Sequence, residues 1–402
     1  MNTIKIIIII INILLLINTI HFGIFAVIPF LKKKREEVKL QNKKNKFMIL
    51  IAARNEELVI GNLIDSLHKL DYPKDLYNIC VIPNNCLDKT KEIAIEKNCL
   101  VIEPEFIPKT KGEVLNFCFN YFKNEKFDAY VIFDADNVVD KNFLKYMNDK
   151  LNKGYKLIQG FRDTKNLYDN HIAGSYAIFF YLQNLYLYES RSRIKKNATI
   201  NGTGYVVSKA LIDNLPRFKT VTEDIELTCL VILNNERIGY EEKAIFYDEQ
   251  VTNFKTSMIQ RKRWIQGFIQ VYKNYSKQLI IKIFKKPNFK LIDFYQILFL
   301  PINQALACII LIVSIFTILP IKLFLMGIII GFIGELVVEI YLLKYYHKNI
   351  KKLWLTILFF PIFNITWMPI YIYSLFNFNI KWDEIRHIKN IKIEDFTRGD
   401  EV

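Results

Sequence analysis

Ala129-Tyr130-Val131-Ile132-Phe133-Asp134-Ala135-Asp136 decides the reading of this chain. An apolar run without alternation describes a strand buried on both faces, as in a mostly parallel sheet covered by helices. The run stops at two carboxylates one residue apart. On an extended chain their side chains point to opposite faces. At a strand end the backbone turns, and both can approach one divalent cation from an oxygen-rich side.

Outward from that strand, Phe47-Met48-Ile49-Leu50-Ile51, Ile79-Cys80-Val81-Ile82 and Lys156-Leu157-Ile158 have the same character. Residues 57–70 and 89–98 carry apolar side chains at helical spacing. Strand and helix in repetition give an α/β domain over residues 45–269, with right-handed crossovers and a ligand crevice at the carboxyl ends of the strands.

Both flanks of this domain belong to a bilayer. Residues 4–30 are almost unbroken apolar sequence, long enough to span, and too long for a cleaved signal peptide. They make residues 1–31 an N-terminal span. Lys32-Lys33-Lys34-Arg35 follows directly, so the positive-inside rule puts the α/β domain in the cytoplasm and the N-terminus outside. Residues 270–290 read as an interfacial amphipathic helix. Apolar stretches at 294–319, 321–343 and 353–376 give the spans of a 291–376 segment, the third containing Pro361, Asn364 and Pro369 and expected to kink or re-enter. A tail, 377–402, closes the chain. Glu335 and Glu339, one turn apart in a span, read as a polar path or as partners of another helix, with pairing preferred. The formal net charge of +15 is clustered beside these apolar stretches, which argues for a lipid surface and against nucleic acid. Six cysteines without a CxxC pair point to reduced, mostly buried thiols and no structural metal.

The loops after the strands carry the chemistry. Because Mg2+ and Mn2+ also bind diphosphate oxygens, Asp134 and Asp136 mark nucleotide-sugar chemistry. Ala52-Ala53-Arg54-Asn55-Glu56-Glu57 leaves the first strand. Its polar groups, Asn55 and Glu56 among them, either face the crevice where a nucleoside would bind or, for Glu56 and Glu57, complement the dipole of the following helix, which leaves Arg54 and Asn55 unexplained. Asp88 either accepts bonds from a base or ribose or caps the following helix. Lys111, in Lys109-Thr110-Lys111-Gly112, either meets phosphate oxygens or lies in a solvated turn. Thr222-Glu223-Asp224 opens an apolar helix, so Asp224 is either a cap or the general base for an acceptor hydroxyl. In Gln260-Arg261-Lys262-Arg263-Trp264, the residues Gln260, Arg263 and Trp264 share a helix face. That face suits a leaving diphosphate and a sugar ring, and equally a basic juxtamembrane helix with an interfacial Trp.

Taken in order, these elements resemble the processive family-2 glycosyltransferases: cellulose, hyaluronan and poly-N-acetylglucosamine synthases and their shorter prokaryotic relatives. The resemblance spans about residues 48–267 and includes Gln159-Gly160-Phe161-Arg162-Asp163, Asn201-Gly202-Thr203-Gly204 and Tyr247-Asp248-Glu249-Gln250. It extends more weakly to Trp382 and His387. It implies a GT-A, Rossmann-like cytoplasmic domain attached to transmembrane helices in a multi-pass cell-membrane protein. It also implies Mg2+ or Mn2+ on Asp134 and Asp136, with a UDP-sugar held by Asn55, Glu56, Asp88, Lys111, Asp134, Gln260 and Arg263. Asp224 would be the base, and Gly202, Thr203, Gly204 and Trp264 would meet the acceptor. The expected reaction passes a hexose or N-acetylhexosamine to a growing polysaccharide with inversion, giving a β-linkage. The alternative is one sugar added to a membrane lipid. Few spans make a wide polymer channel hard to build from one chain, which leaves room for a homo-oligomer. A non-catalytic sensor would need a degraded site, and the carboxylates are intact.

Overall fold

Every run read above as a strand pairs in one sheet of the computed structural model, which describes residues 3–31, 42–317, 320–377 and 387–397. The basic run 32–35 and Trp382 lie outside the described residues. The strands are β1 (Phe47–Ala53), β2 (Tyr77–Pro83), β3 (Leu100–Val101), β4 (Ala129–Asp134), β5 (Val138–Val139), β6 (Leu157–Thr164), β7 (Tyr205–Ser208) and β8 (Ile238–Asp248). The helices are α1 (Thr3–Leu31), α2 (Ile60–His68), α3 (Thr90–Glu96), α4 (Lys111–Tyr121), α5 (Phe143–Asn152), α6 (His171–Leu182), α7 (Ser190–Arg193), α8 (Lys209–Ile212), α9 (Glu223–Leu233) and α10 (Phe254–Lys285). They continue as α11 (Phe289–Thr317), α12 (Ile321–Tyr345), α13 (Trp354–Ile365), α14 (Trp367–Phe376) and α15 (Ile393–Thr397).

The chain divides into two compact units, one of residues 32–165, 184–249 and 382–402, the other of residues 1–31, 166–183 and 250–381. The first holds the whole sheet, in the order β3-β2-β1-β4-β7-β6-β8-β5. Strands β1, β2 and β4 are parallel and buried on both faces, with Phe47, Ile49, Ile51, Val131 and Phe133 fully enclosed. Helices α2 and α5 contribute Leu63, Ile64, Leu67, Phe143, Leu144 and Met147 to the same core. The sheet is mixed as well as parallel, because β7 runs antiparallel to both β4 and β6. That reversal has a consequence for position. Tyr205, the first residue of β7, pairs with Ile132 near the end of β4, so the loop before β7 arrives beside Asp134. On the far side, β6 and β8 are parallel and end together, with Thr164 opposite Asp248. The carboxyl ends of β1, β2, β4, β6 and β8 therefore share one edge.

The second unit is helical. Four helical stretches, Ile10–Leu31, Phe289–Ile315, Ile321–Tyr345 and Ile350–Phe376, are long and apolar enough to cross a membrane. On α12 the exposed side chains include Ile328, Ile329, Ile330 and Ile333, and an apolar surface of that extent is one that lipid would cover. Polar contacts tie the helices together: the Asn18 amide donates to Gln296 Oε1 at 3.0 Å, and His21 Nε2 meets Asp293 Oδ1 at 2.7 Å. Glu335 accepts a bond from Asn364 at 3.0 Å, the interhelical pairing preferred from the sequence. The stretch expected to kink is broken at Thr366, where α13 ends and α14 begins.

Two expected boundaries differ. The division at 269/270 falls inside α10, one helix of 32 residues that starts where Asn253 accepts the N–H groups of Lys255 and Thr256. No proline interrupts it, so the cationic motif and the amphipathic stretch are a single rod of about 48 Å at 1.5 Å per residue. The described part of the tail, residues 387–397, groups with the sheet unit and not with the long apolar helices.

Candidate active site

Asp134 ends β4, and its carboxylate receives an ion pair from Lys111. Lys111 is delivered by a capping box: the Thr110 hydroxyl accepts the Glu113 N–H at 3.1 Å, and Glu113 reaches back to the Lys109 N–H at 2.7 Å. This fixes the start of α4 with Lys111 as its first residue. The same ammonium donates to the Gly202 carbonyl at 2.8 Å, which ties the loop before β7 to the Asp134 carboxylate. Burial pulls the Lys111 pKa down, but Asp134, Glu223 and Asp224 together hold it above its ordinary value.

Gly202 has φ +90, and a Cβ placed there would lie 3.6 Å from Asp224 Oδ2. Asp224 thus stands on the same edge of the sheet as Asp134, linked to it through Gly202 and Lys111. It lies in the first turn of α9, where the sequence admitted either a cap or a base. The N-cap Thr222 makes no capping bond. Glu226 does the local tethering, accepting the N–H groups of Lys219 and Thr220 at 2.9 and 2.8 Å and the Thr220 hydroxyl at 2.8 Å. Burial pushes the Asp224 carboxyl up to about 6 despite backbone donors and Lys111, with Asp134 adding to the rise. Glu223, beside it, is raised for the same first reason.

Behind the pair lies a buried network in which Thr203, expected at the acceptor, joins Asn137, which the sequence did not single out, and Arg162 and Asp248, known there only as parts of the resembling segments. The Asp134 N–H donates to the Thr203 hydroxyl at 2.8 Å and to Asn137 Oδ1 at 3.2 Å. The Thr203 hydroxyl in turn donates to Asn137 Oδ1. Asn137 donates to Asp248 Oδ1 at 2.7 Å and more weakly to Asp136 Oδ1 at 3.4 Å. Arg162 closes the chain on Asp248 Oδ2 and donates to the Asn201 carbonyl at 3.2 Å. Asn137 follows β4, Asp248 ends β8 and Arg162 lies within β6, so the signals available were position after a strand for Asn137 and the resembling segments for Arg162 and Asp248.

Asp136 is 3% exposed. Its Oδ2 accepts the Glu249 N–H at 3.1 Å. Burial raises its pKa, His387 lowers it, and Asp134 and Glu56 raise it further. Glu56 has a raised pKa too, first from burial, with a bond from His387 working against it. His387 Nδ1 lies 3.0 Å from Glu56 Oε1, and Nε2 lies 4.0 Å from Asp136 Oδ2. Burial disfavours the charged ring, but Asp136, Glu56 and Glu249 together lift its pKa to about 10.

The other expected residues divide. Asn55, at φ 55, accepts the Leu87 N–H at 2.9 Å and joins the loops after β1 and β2. Asp88 accepts the Glu57 N–H at 2.9 Å and the Thr90 N–H at 3.1 Å; the N-cap of α3 is Lys89, so Asp88 closes a local turn ahead of the helix and is not its cap. Thr203 is fully buried with its hydroxyl committed inward, and Gly204 at φ +60 leaves no room beside Phe246. Of that triplet, Gly202 alone keeps partial exposure. Gln260, Arg263 and Trp264 lie on α10 in the helical unit. There Trp264 packs against Tyr176, Phe179 and Phe180 at centroid distances of 5.9, 6.4 and 6.0 Å. Their neighbour Arg261 is buried over Phe363 and bonded to Thr366 Oγ1 at 2.8 Å, a packing role that a simple count of cations hides. All six cysteines are free, four of them buried. Among the described residues, no three His, Cys, Asp or Glu side chains converge as a ready metal cluster.

A family model described as glycosyl transferase family group 2 matches residues 130–379. The beta-monoglucosyldiacylglycerol synthase of Nostoc is 26% identical over 271 residues, 64% of this chain and 56% of that protein. The poly-beta-1,6-N-acetyl-D-glucosamine synthase of Staphylococcus epidermidis is 26% identical over 227 residues, 54% of this chain and 53% of that protein. The chain thus spans little more than half the length of these relatives. A mannosyltransferase from Pyrobaculum calidifontis, solved with GDP-Man and Mn2+, superposes with a TM-score of 0.60 over 90% of this chain and 97% of that one, at 14% identity. That likeness shows the fold, the GT-A arrangement expected from the sequence.

Proposed function

The chain belongs to glycosyl transferase family group 2, and on that footing we propose that it transfers a hexose or N-acetylhexosamine from a UDP-sugar to an acceptor hydroxyl with inversion. The observation that carries the reading is the convergence of Asp134, Lys111, Gly202 and Asp224 at one edge of the sheet. A base and a phosphate-binding pair must face one another across a reacting carbon, and the nearness of these residues supports that arrangement.

Asp134 and Asp136 would hold Mg2+ or Mn2+. The donor set fits such a hard cation: oxygen ligands only, with Asp136 buried and its pKa raised first by that burial. Such ions are usually bound through one or two carboxylates plus substrate phosphates, so a closed protein cage is not required. When bound, the cation offsets charge on the leaving diphosphate. Thr203 and Asn137 fix the Asp134 backbone, and Lys111 adds a positive group beside the phosphates. Asn55, Glu56 and Asp88 line the nucleoside side. Gly202 is assigned to the acceptor. Asp224 takes the proton as the acceptor oxygen bonds to the anomeric carbon and the bond from that carbon to the phosphate oxygen breaks. UDP leaves, and an α-linked donor yields a β-linked product without a covalent enzyme intermediate.

The acceptor in this reading is the end of a growing polysaccharide. A membrane lipid is the second reading, and similarity to the Nostoc glycolipid synthase over the longer stretch favours it. In either case this reading puts the catalytic domain at the cytoplasmic face of the membrane. Membranes supplied with a panel of UDP-sugars and Mn2+ should yield sugar product by mass spectrometry. A ladder of sugar masses identifies the polymer reading and a single sugar on lipid the second. No transfer from any UDP-sugar contradicts both.

A further inference from the structure

Residues 387–397, far from the strands in sequence, are bound to the sheet unit by contacts that converge on the candidate site. The N–H groups of Ile388 and Lys389 each donate at 3.0 Å to one oxygen of Glu249. Glu249 is the residue whose own N–H holds Asp136. Asn62 donates to Asn390 Oδ1 at 2.8 Å, and Glu394 pairs with Lys69. The Phe396 ring stacks on Tyr247 at 4.1 Å with 14° between planes. These anchors lie on α2, β8 and the loop after β8. What they fix is His387, with Nδ1 on Glu56 and Nε2 toward Asp136.

We propose that residues 387–397 are a working part of the donor site and that His387 is a positioning residue for Glu56 and Asp136. Glu56 leaves β1 and Asp136 follows β4, so neither strand alone fixes the spacing of the two carboxylates. The imidazole does: one ring nitrogen grips the first carboxylate and the other faces the second, from a backbone that Glu249 holds at Ile388 and Lys389. A partner that orients a ligating carboxylate in this manner commonly contributes ten- to a hundredfold to metal affinity or activity.

The inference rests on the UDP-sugar reading above. Its test uses the full chain in detergent or nanodiscs, with the UDP-sugar and Mn2+. For His387→Ala, kcat/KM for the donor should fall about tenfold or more, and added imidazole should restore much of it, since a small ring can refill the space. His387→Gln should keep the folded state, checked by gel filtration and melting, while losing the same activity. Wild-type-like kcat/KM in both variants overturns the proposal, as does a loss in His387→Ala that imidazole leaves untouched. Failure of the wild-type chain to use any UDP-sugar strikes the underlying reading instead.

Discussion

Thr203→Val removes one oxygen from a fully buried position and changes little else in shape. In the structure that oxygen accepts the Asp134 N–H at 2.8 Å and donates to Asn137 Oδ1. Both partners keep one bond to each other, because the Asp134 N–H also reaches Asn137 Oδ1 at 3.2 Å. The loss is then two neutral hydrogen bonds without a fully orphaned group, about 1–3 kcal/mol at about 1 kcal/mol per bond. Valine puts a methyl group where the hydroxyl stood, so the Asp134 backbone shifts. Small displacements of a group that positions substrate can cost up to about a hundredfold in rate. The expected result is a fall in kcat/KM for the donor of tenfold or more, with the acceptor KM little changed and activity recovered in Thr203→Ser. Steady-state kinetics with both substrates varied, together with a melting curve, measure this. A valine variant with unaltered donor kinetics and a raised acceptor KM refutes the reasoning and returns Thr203 to direct acceptor contact.

Asp224→Asn should lower kcat by about 10²–10⁴, the usual contribution of a general base, while UDP binding measured by calorimetry stays intact; retained turnover would exclude Asp224 as the base. Burial holds the Asp224 proton up to about 6. Since a base works only after losing its proton, kcat/KM should decline as pH falls through 6, and a profile flat down to pH 5 would contradict that assignment. Gly204→Ala puts a Cβ 2.0 Å from the Phe246 ring at φ +60. Left-handed backbone costs about 1–2 kcal/mol and overpacking about 1–3 kcal/mol, so poor expression or a lowered melting temperature is expected, and a variant as stable as wild type would show that the loop can relax.

The sequence made the centre of the sheet legible because β1, β2 and β4 are continuous apolar runs, and burial on both faces leaves no other reading. Strand β7 was not legible: Tyr205-Val206-Val207-Ser208 is short and runs antiparallel, and its pairing depends on where β4 and β6 already lie. Strand β8 mixes Glu241, Glu242 and Lys243 into its length, so periodicity does not mark it. At the site, Asp134, Asp136 and Asp224 announce themselves by charge at the end of an apolar run or the start of a helix. Asn137, Arg162 and Asp248 act through buried bonds between strands distant in sequence, and residue type alone cannot reveal such pairings. The boundary drawn at 269/270 followed composition, whereas α10 follows hydrogen bonding that a change from cationic to mixed side chains does not interrupt.

A structure of the full chain soaked with Mn2+ and UDP, with anomalous scattering recorded at the manganese edge, tests the central claim most directly. The account predicts a manganese peak between the carboxylates of Asp134 and Asp136 and the UDP diphosphate, with Asp224 facing the position of the missing sugar. A peak remote from both aspartates, or a nucleotide bound on another edge of the sheet, would contradict it.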